Sequence, residues 1–420
     1  MSIDIARVAI FGDHYLRIFN ENPGFGVNFL KIFVGYSILS LLNLYFSWPL
    51  LHGNEGKPAN FPDLNSVLSS VQIFSSAGGE VFKYNSDLPG SGYMYGSTLL
   101  VLLDFLAASP AITNILGYFF VWLTIVMVSI CMSGIQNKRF ALVALCVMVT
   151  YAPFFWLLQQ RANIDTLIFA LIFVATFVLS RNLILLYYFL ILFTSLLKFY
   201  TLPLLIIPFI CGKKFLKFRL LKATLVIVLS ISTVAQIAVD LGKIPKFPSG
   251  WQNSYGALNY AHWLEQFSNY FGLQSQFNPQ VVQGITILIT LFGGYYLFRN
   301  EVFNRSIQLS FRKERGISDF RKLLFISFSL LFLISFIAGS SFDYRMFTLL
   351  IATIVASQIL IISQRNFVAF FALAAITFWL TALGSTSPLL QLVGDACANI
   401  WALLAVGLMM VANQSKLLNK

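Results

Sequence analysis

Long apolar runs alternate along the chain with short polar segments. A helix needs about 20 mainly apolar residues to cross the hydrocarbon core of a bilayer. The fifth and sixth runs are short, and Pro203 interrupts the sixth, so 183–212 is either two crossings or one bent segment. We predict twelve spans, at 30–51, 111–133, 139–158, 164–180, 183–197, 199–212, 220–240, 280–298, 323–339, 345–363, 367–383 and 391–412.

The composition supports an all-α polytopic membrane protein, a single integral membrane domain over residues 1–420. Hydrophobic residues make up 58% of the chain and charged residues only 10%, with a mean hydropathy of +0.78. Soluble domains usually carry about 25% charged residues. The net charge of +12 therefore indicates orientation in a membrane and no nucleic-acid partner, because basic residues collect in cytoplasmic loops.

The basic clusters set the predicted orientation. With both termini in the cytoplasm, the clusters at 138–139, 181, 213–222 and 299–322 fall inside. This holds only if 183–212 crosses twice and if "GSTLLVLLDFLAA" (96–108) lies at the outer interface as a juxtamembrane helix. The predicted order is a first span (30–51), an outer loop (52–110), a helix bundle (111–240), an aromatic outer loop (241–279) and C-terminal spans (280–412).

Charged residues gather at the predicted outer ends of the spans. The turn "QQRANID" (159–165), Lys198 and "SSFDYR" (340–345) all lie there. Ion-coupled transporters usually place ionisable groups near the middle of the bilayer. The pattern therefore favours a site that is open to the outer side over a transport path.

Asp63 in "NFPDLNSVLSS" has two interpretations. A carboxylate held near a reacting hydroxyl can act as a general base. Pro62-Asp63 before a run with helical spacing is also a good helix start. The residues alone favour the helix start.

Three cations could bind a phosphate at this face. Arg161 could bind a phosphate, to which its planar guanidinium is suited. It could instead pair with Asp165, four residues later, at the start of a helix that Asn163 caps. Arg345 and Asp343 have the same ambiguity. Lys198 in "LLKFYTLPLL" has no acidic neighbour in sequence, so it either binds an anion or extends to the interface.

The aromatic outer loop is rich in tryptophan, tyrosine and amide residues. Such residues form interfacial belts, and they also offer flat surfaces for sugars or lipid chains. His262 lies in this loop without a set of metal ligands around it. Since no nucleotide-binding motif is present, an enzyme at this face would need a donor presented at the outer leaflet.

Four segments, in order over roughly residues 30–365, resemble the bacterial polyprenyl-phosphate-sugar-dependent glycosyltransferases of the GT-C fold, and most of all the branch of the polyprenyl-phosphate-mannose-dependent alpha-mannosyltransferases. They are "PDLNSVLSSVQIFSSAGGEVFKYNSD" with "GYMYGSTLLVLL", "QQRANIDTLIFALIFVA", "LLKFYTLPLL" and "SSFDYRMFTLL". The chain departs from the family at Tyr95-Gly96-Ser97, where members often have Tyr-Pro-Pro, and in the longer gap between Lys198 and Pro203.

The resemblance implies an inverting hexosyltransferase, for mannose or another hexose, in the bacterial cytoplasmic membrane. Asp63 would be the base at a periplasmic active site, and Arg161, Lys198 and Arg345 would bind the donor phosphate. The partners would be a polyprenyl-phosphate sugar, a lipid or glycan acceptor and membrane lipids. No cofactor is expected, and a divalent metal is left open. The predicted substrate-binding residues are Asp87, Tyr95, Gln160, Asn163, Asp165, Asn253, His262, Asp343 and Tyr344.

Three other functions remain open at this point. A polysaccharide polymerase would also use external arginines and an outer loop. A lipid-linked oligosaccharide transporter would need polar groups at several depths of the bundle, of which the sequence shows few. A non-catalytic membrane scaffold would tolerate substitution of Asp63.

Overall fold

A computed structural model describes most of the helical part of the chain. The described residues are 23–46, 61–77, 81, 95–133, 146, 148–150, 152–210, 220–242, 254–255, 257, 259–272, 277–301, 304–305, 319–337, 341–360, 373–378, 380 and 388–414. The helices are α1 (Pro23–Phe46), α2 (Pro62–Ala77), α3 (Ser97–Phe105), α4 (Thr113–Ser133), α5 (Pro153–Arg161), α6 (Asp165–Ser180), α7 (Ile184–Leu197), α8 (Ile207–Ile210), α9 (Leu220–Leu241), α10 (Asn259–Tyr270), α11 (Pro279–Arg299), α12 (Asp319–Ile337), α13 (Phe347–Leu360) and α14 (Pro388–Gln414).

The protein is a helical membrane protein. Four of its described helical stretches are long and apolar enough to cross a bilayer: Pro110–Ser133, Thr224–Leu241, Pro279–Arg299 and Phe320–Ile337. A fifth candidate is the pair α5 and α6, whose axes differ by 110° across the break at 162–164. Twelve spans, cytoplasmic termini and the identity of the membrane stay predictions.

The chain reverses direction at Lys198. Beyond α7 it continues as a 3-10 helix (Phe199–Ile206) and then α8. The Tyr187 hydroxyl donates to the Leu204 carbonyl at 2.6 Å, which requires the 3-10 helix to run back along α7. Since α7 has 14 residues, it is about 21 Å long at 1.5 Å per residue. Two full crossings by 183–212 therefore stay a prediction, while the hairpin on which they depend is present.

The segment 96–108, predicted as a juxtamembrane helix, contains helix α3. The nine residues of α3 are too few to cross a bilayer. Leu99 and Leu100 are buried, whereas Val101, Phe105 and Leu106 are exposed. An apolar exposed face is typical of a helix that lies against lipid.

The core of the described part lies between α6, α12 and α13. Phe169 of α6 contacts Phe328 of α12 and Phe347 of α13, with ring centroids 6.5 and 5.8 Å apart. All three side chains are fully buried. Aromatic packing of this kind fixes these three helices relative to one another.

Two predicted outer segments meet in a short strand pair. β1 (Ser254–Tyr255) and β2 (Ser341–Phe342) are antiparallel, with Ser254 opposite Phe342. Nearby, the Ala257 N–H donates to the Phe336 carbonyl at 2.8 Å. The aromatic outer loop and the "SSFDYR" segment therefore lie on the same side of the molecule, as the charge-based topology requires.

Candidate functional site

Asp63 is held by two residues of the turn between α5 and α6. Arg161 donates from Nε and Nη2 to Asp63 Oδ1, at 2.8 and 2.5 Å. Asn163 donates from Nδ2 to Asp63 Oδ2 at 2.6 Å. We call these three residues the carboxylate half of the site. The Asp63 side chain remains 13% exposed, so its carboxylate can be reached from outside the protein.

Left-handed backbone on both sides aims these side chains at one another. Phe61, two residues before Asp63, has a φ of 46°, and Ala162, between Arg161 and Asn163, has a φ of 45°. Such angles are uncommon for residues other than glycine. Ala162 ends α5 in this conformation, which turns the flanking Arg161 and Asn163 towards α2. Strained backbone of this kind often collects at functional sites.

Asp165 gathers two cations and a phenol. Lys198 Nζ lies 2.8 Å from Asp165 Oδ1. Arg345 Nε lies 3.2 Å from Asp165 Oδ2. The Tyr200 hydroxyl donates to Oδ1 at 2.9 Å. We call these four residues the cation half of the site.

Tyr95 bridges the two halves. The Lys198 ammonium lies 4.2 Å from the centre of the Tyr95 ring, within cation–π distance. The Tyr95 hydroxyl donates to Asn163 Oδ1 at 3.4 Å. The same oxygen accepts the Asp165 backbone N–H at 2.9 Å. Tyr95 and the two halves form one connected group of eight residues, the polar cluster.

The polar cluster carries an excess of positive charge. Three cations face two carboxylates, which leaves one net positive charge in a largely buried setting. Lys198 is buried and Asp165 fully so, whereas Arg161 keeps 44% of its side chain exposed. Burial lowers the pKa of Lys198 to about 8, although the adjacent Asp165 opposes this change and Arg345 adds to it. A third anion would balance the excess charge of these residues.

One local interpretation of the sequence, the pairing of Arg161 with Asp165, is wrong. Arg161 does not pair with Asp165 four residues away, because it pairs with Asp63, while Asp165 pairs with Lys198 and Arg345. Lys198 does find an acidic partner, 33 positions earlier in the chain. The predicted helix start at Pro62-Asp63 is confirmed, because α2 begins at Pro62. The Asp63 side chain bonds Arg161 and Asn163, in the turn between α5 and α6. The expected cap by Asn163 is present, through the Asp165 N–H.

The described contacts join Asp63 to six other predicted site residues and leave the remaining ones apart. The six are Tyr95, Arg161, Asn163, Asp165, Lys198 and Arg345. Gln160 lies half-buried on α5, and no described contact joins it to the polar cluster. His262 bonds Gln266 at 2.8 Å on α10, which packs against α11 and α14. Asp343 and Tyr344 lie in the 3-10 helix that leads to Arg345, but their side chains, like Asp87 and Asn253, fall outside the described residues.

Sequence reasoning missed two contributors to this region. Tyr200 appeared only as part of a gap between Lys198 and Pro203, although a tyrosine beside a buried lysine could have suggested a bonded phenol. Asp240, at the last turn of α9, accepts the Ser97 N–H at 2.9 Å. An acidic residue at the end of an apolar helix is unusual and could have singled it out.

Comparison of the chain with protein-family models, curated proteins and solved structures found no match. Among the described residues, no three His, Cys, Asp or Glu side chains come together as metal ligands. The divalent metal that the sequence left open stays an open question of the proposal below.

Proposed function

We propose that this protein is an inverting glycosyltransferase that uses a hexose, such as mannose, on a polyprenyl phosphate and acts at the outer face of a bacterial cytoplasmic membrane. One observation carries the proposal. Segments up to 282 positions apart place a reachable carboxylate, Asp63, beside a cluster with excess positive charge. A base and an anion site side by side are what transfer from a phosphate-linked sugar to a hydroxyl needs.

The cation half is the proposed site for the donor phosphate. Lys198 and Arg345 both contact the buried Asp165 carboxylate, which brings two positive charges together in one place. Arg161 is the most exposed of the three cations, and its planar guanidinium is suited to binding a phosphate. As the leaving phosphate gains charge in the transition state, these groups would stabilise it.

Asp63 Oδ2 is the proposed proton acceptor. Among the described residues, Oδ1 receives two donors from Arg161 and Oδ2 receives one from Asn163, and a carboxylate oxygen can accept two. The acceptor hydroxyl would pass its proton to Oδ2 as its oxygen bonds to the anomeric carbon. The bond from that carbon to the phosphate oxygen breaks, and polyprenyl phosphate leaves with the electron pair.

Asp63→Asn tests the proposal. The substitution keeps the shape of the side chain and removes the basic oxygen that takes the proton. We expect transfer from the donor to fall by roughly 10²–10⁴-fold, the usual contribution of a general base. The measurement is radiolabel passing from a panel of polyprenyl-phosphate sugars into products, in membranes with total host lipid as acceptor.

Asp104→Asn is the matched control, because Asp104 is an exposed carboxylate on α3 that bonds Ser75 outside the polar cluster. It should transfer sugar like the wild type. Full activity of Asp63→Asn at a normal protein level would refute the catalytic role. If the wild type transfers label from no donor while the extract is competent, a polymerase or transporter becomes the better hypothesis.

A further inference from the structure

A second carboxylate, Asp240, joins the start of α3 to the end of α9. Asp240 Oδ2 accepts the Ser97 N–H at 2.9 Å and the Ser97 hydroxyl at 3.1 Å. Gln236 donates to Asp240 Oδ1 at 3.1 Å and to the Ser97 hydroxyl at 3.0 Å. Ser97 and Asp240 are 143 positions apart, so these contacts fix tertiary structure.

The helix dipoles explain where this carboxylate is useful. A negative charge at the carboxyl end of α9 is unfavourable, because the last carbonyls there carry partial negative charge. At the amino end of α3 the same charge is favourable, and it satisfies an N–H that has no partner within the helix. Asp240 is buried, so solvent weakens neither effect much. The position of Asp240 is therefore explained by its stabilisation of the amino end of α3.

The residue before Ser97 is tied to the other side of the site. The Gly96 N–H donates to the Leu197 carbonyl at 3.0 Å. A Cβ at Gly96 would lie 1.9 Å from the Leu196 carbonyl oxygen, so only glycine fits this approach. Residues 96 and 97 are thus fastened to the ends of α7 and α9, directly beside Tyr95.

We propose that Asp240 is a positioning residue that, by capping α3, holds Tyr95 between the carboxylate half and the cation half of the site. Tyr95 reaches Lys198 with its ring and Asn163 with its hydroxyl. Loss of the cap frees this segment and so loosens both halves. As a statement about catalysis the inference rests on the proposed function; as a statement about structural coupling it does not.

Asp240→Asn in the full-length protein tests the coupling by amide hydrogen exchange. Asparagine removes the negative charge at the start of α3, and its amide nitrogen must face Gln236 or Ser97, so at least one of the bonds to residue 240 is lost. We expect faster exchange at the start of α3 and also at Asp165, whose N–H bonds the oxygen that Tyr95 contacts. Asp104→Asn, at the other end of α3, should leave exchange at Asp165 unchanged.

A kinetic readout separates positioning from general stability. With an active donor identified, Asp240→Asn should lower the turnover rate by up to about 100-fold, which is what a misplacement of about 1 Å can cost. The alkaline limb of its pH profile should move to lower pH, because the displaced Tyr95 ring no longer stabilises the charged form of Lys198. The other groups that face Lys198 are Asp165, Asp63, Arg345 and Tyr200.

The outcomes are distinct. Unchanged exchange at Asp165 in Asp240→Asn overturns the inference, whether or not a sugar donor is found. Faster exchange with an unchanged turnover rate overturns the catalytic part alone. If Asp240→Asn does not fold, Ser97→Ala removes one contact of the cap and should speed exchange at the same two places; no change there also overturns the inference. Failure of the wild type with every donor counts against the proposed function only.

Discussion

Lys198 is the residue whose charge the polar cluster depends on most directly. Its ammonium is enclosed by the Asp165 carboxylate and the rings of Tyr95 and Tyr200. Removing a charged amine from water favours its neutral form, whereas an anion and two aromatic faces favour the charged form. Burial is the stronger effect here, and it lowers the pKa of Lys198 to about 8.

Transfer should therefore weaken in alkaline solution. As the pH rises through about 8, Lys198 loses its proton and the donor phosphate loses a cation. Lys198→Arg keeps its charge throughout, since arginine does not deprotonate in proteins. Initial rates between about pH 6 and pH 10 should fall for the wild type and stay level for Lys198→Arg, whatever its absolute rate. Identical alkaline limbs in the two proteins would exclude Lys198 as the titrating group.

The sequence predicted which residues belong to the site better than it predicted their partners. Asp63, Arg161, Asn163, Lys198 and Arg345 stood out because polar groups in an apolar chain need a reason. Their pairing was out of reach, since Asp165 lies 180 positions from Arg345 and local spacing favours neighbours four residues apart. The packing of α6 against α7 and α12 determines which of these residues pair.

At the scale of elements, the apolar runs predicted most helices to within a few residues. The span predicted at 164–180 is α6 at Asp165–Ser180, and that at 220–240 is α9 at Leu220–Leu241. Apolar runs end at polar residues, so the ends of these helices can be predicted from the sequence. The predicted first span is less accurate, because α1 begins at Pro23. Helix α10 lies within the predicted outer loop 241–279. It is not predicted as a span because its apolar residues cover only one face.

The approach of α3 to α7 can be tested at Gly96. Gly96→Ala puts a Cβ against a backbone oxygen, so the two elements must separate. We expect a loss of about 1–3 kcal/mol in the free energy of unfolding, as for overpacking, seen as a lower melting temperature in detergent. Gly284→Ala on α11 is the control, because nothing lies within 4 Å of its Cβ. An equal fall in both variants would contradict the steric account.

At the scale of the whole molecule, contacts between distant segments place the site segments on one side. The turn after α5, the hairpin at Lys198, the segment before α13 and the start of α3 all meet in the polar cluster or beside it. The aromatic outer loop reaches the same side through β1 and β2. These contacts agree with the prediction, made from the charged residues, that the site segments share one side of the membrane.

Which side of the membrane this is decides the class of donor, and the two ends of α11 can report it. The 21 residues of α11 give a length of about 31 Å, enough for one crossing. In a background with the four native cysteines replaced, Gln280→Cys and Glu301→Cys mark its ends, both at exposed positions. Gln280→Cys should react with a membrane-impermeant maleimide added to intact cells, and Glu301→Cys only after permeabilisation. The reverse result would place the polar cluster on the cytoplasmic side, where soluble nucleotide sugars are present. A lipid-linked donor would then not be required.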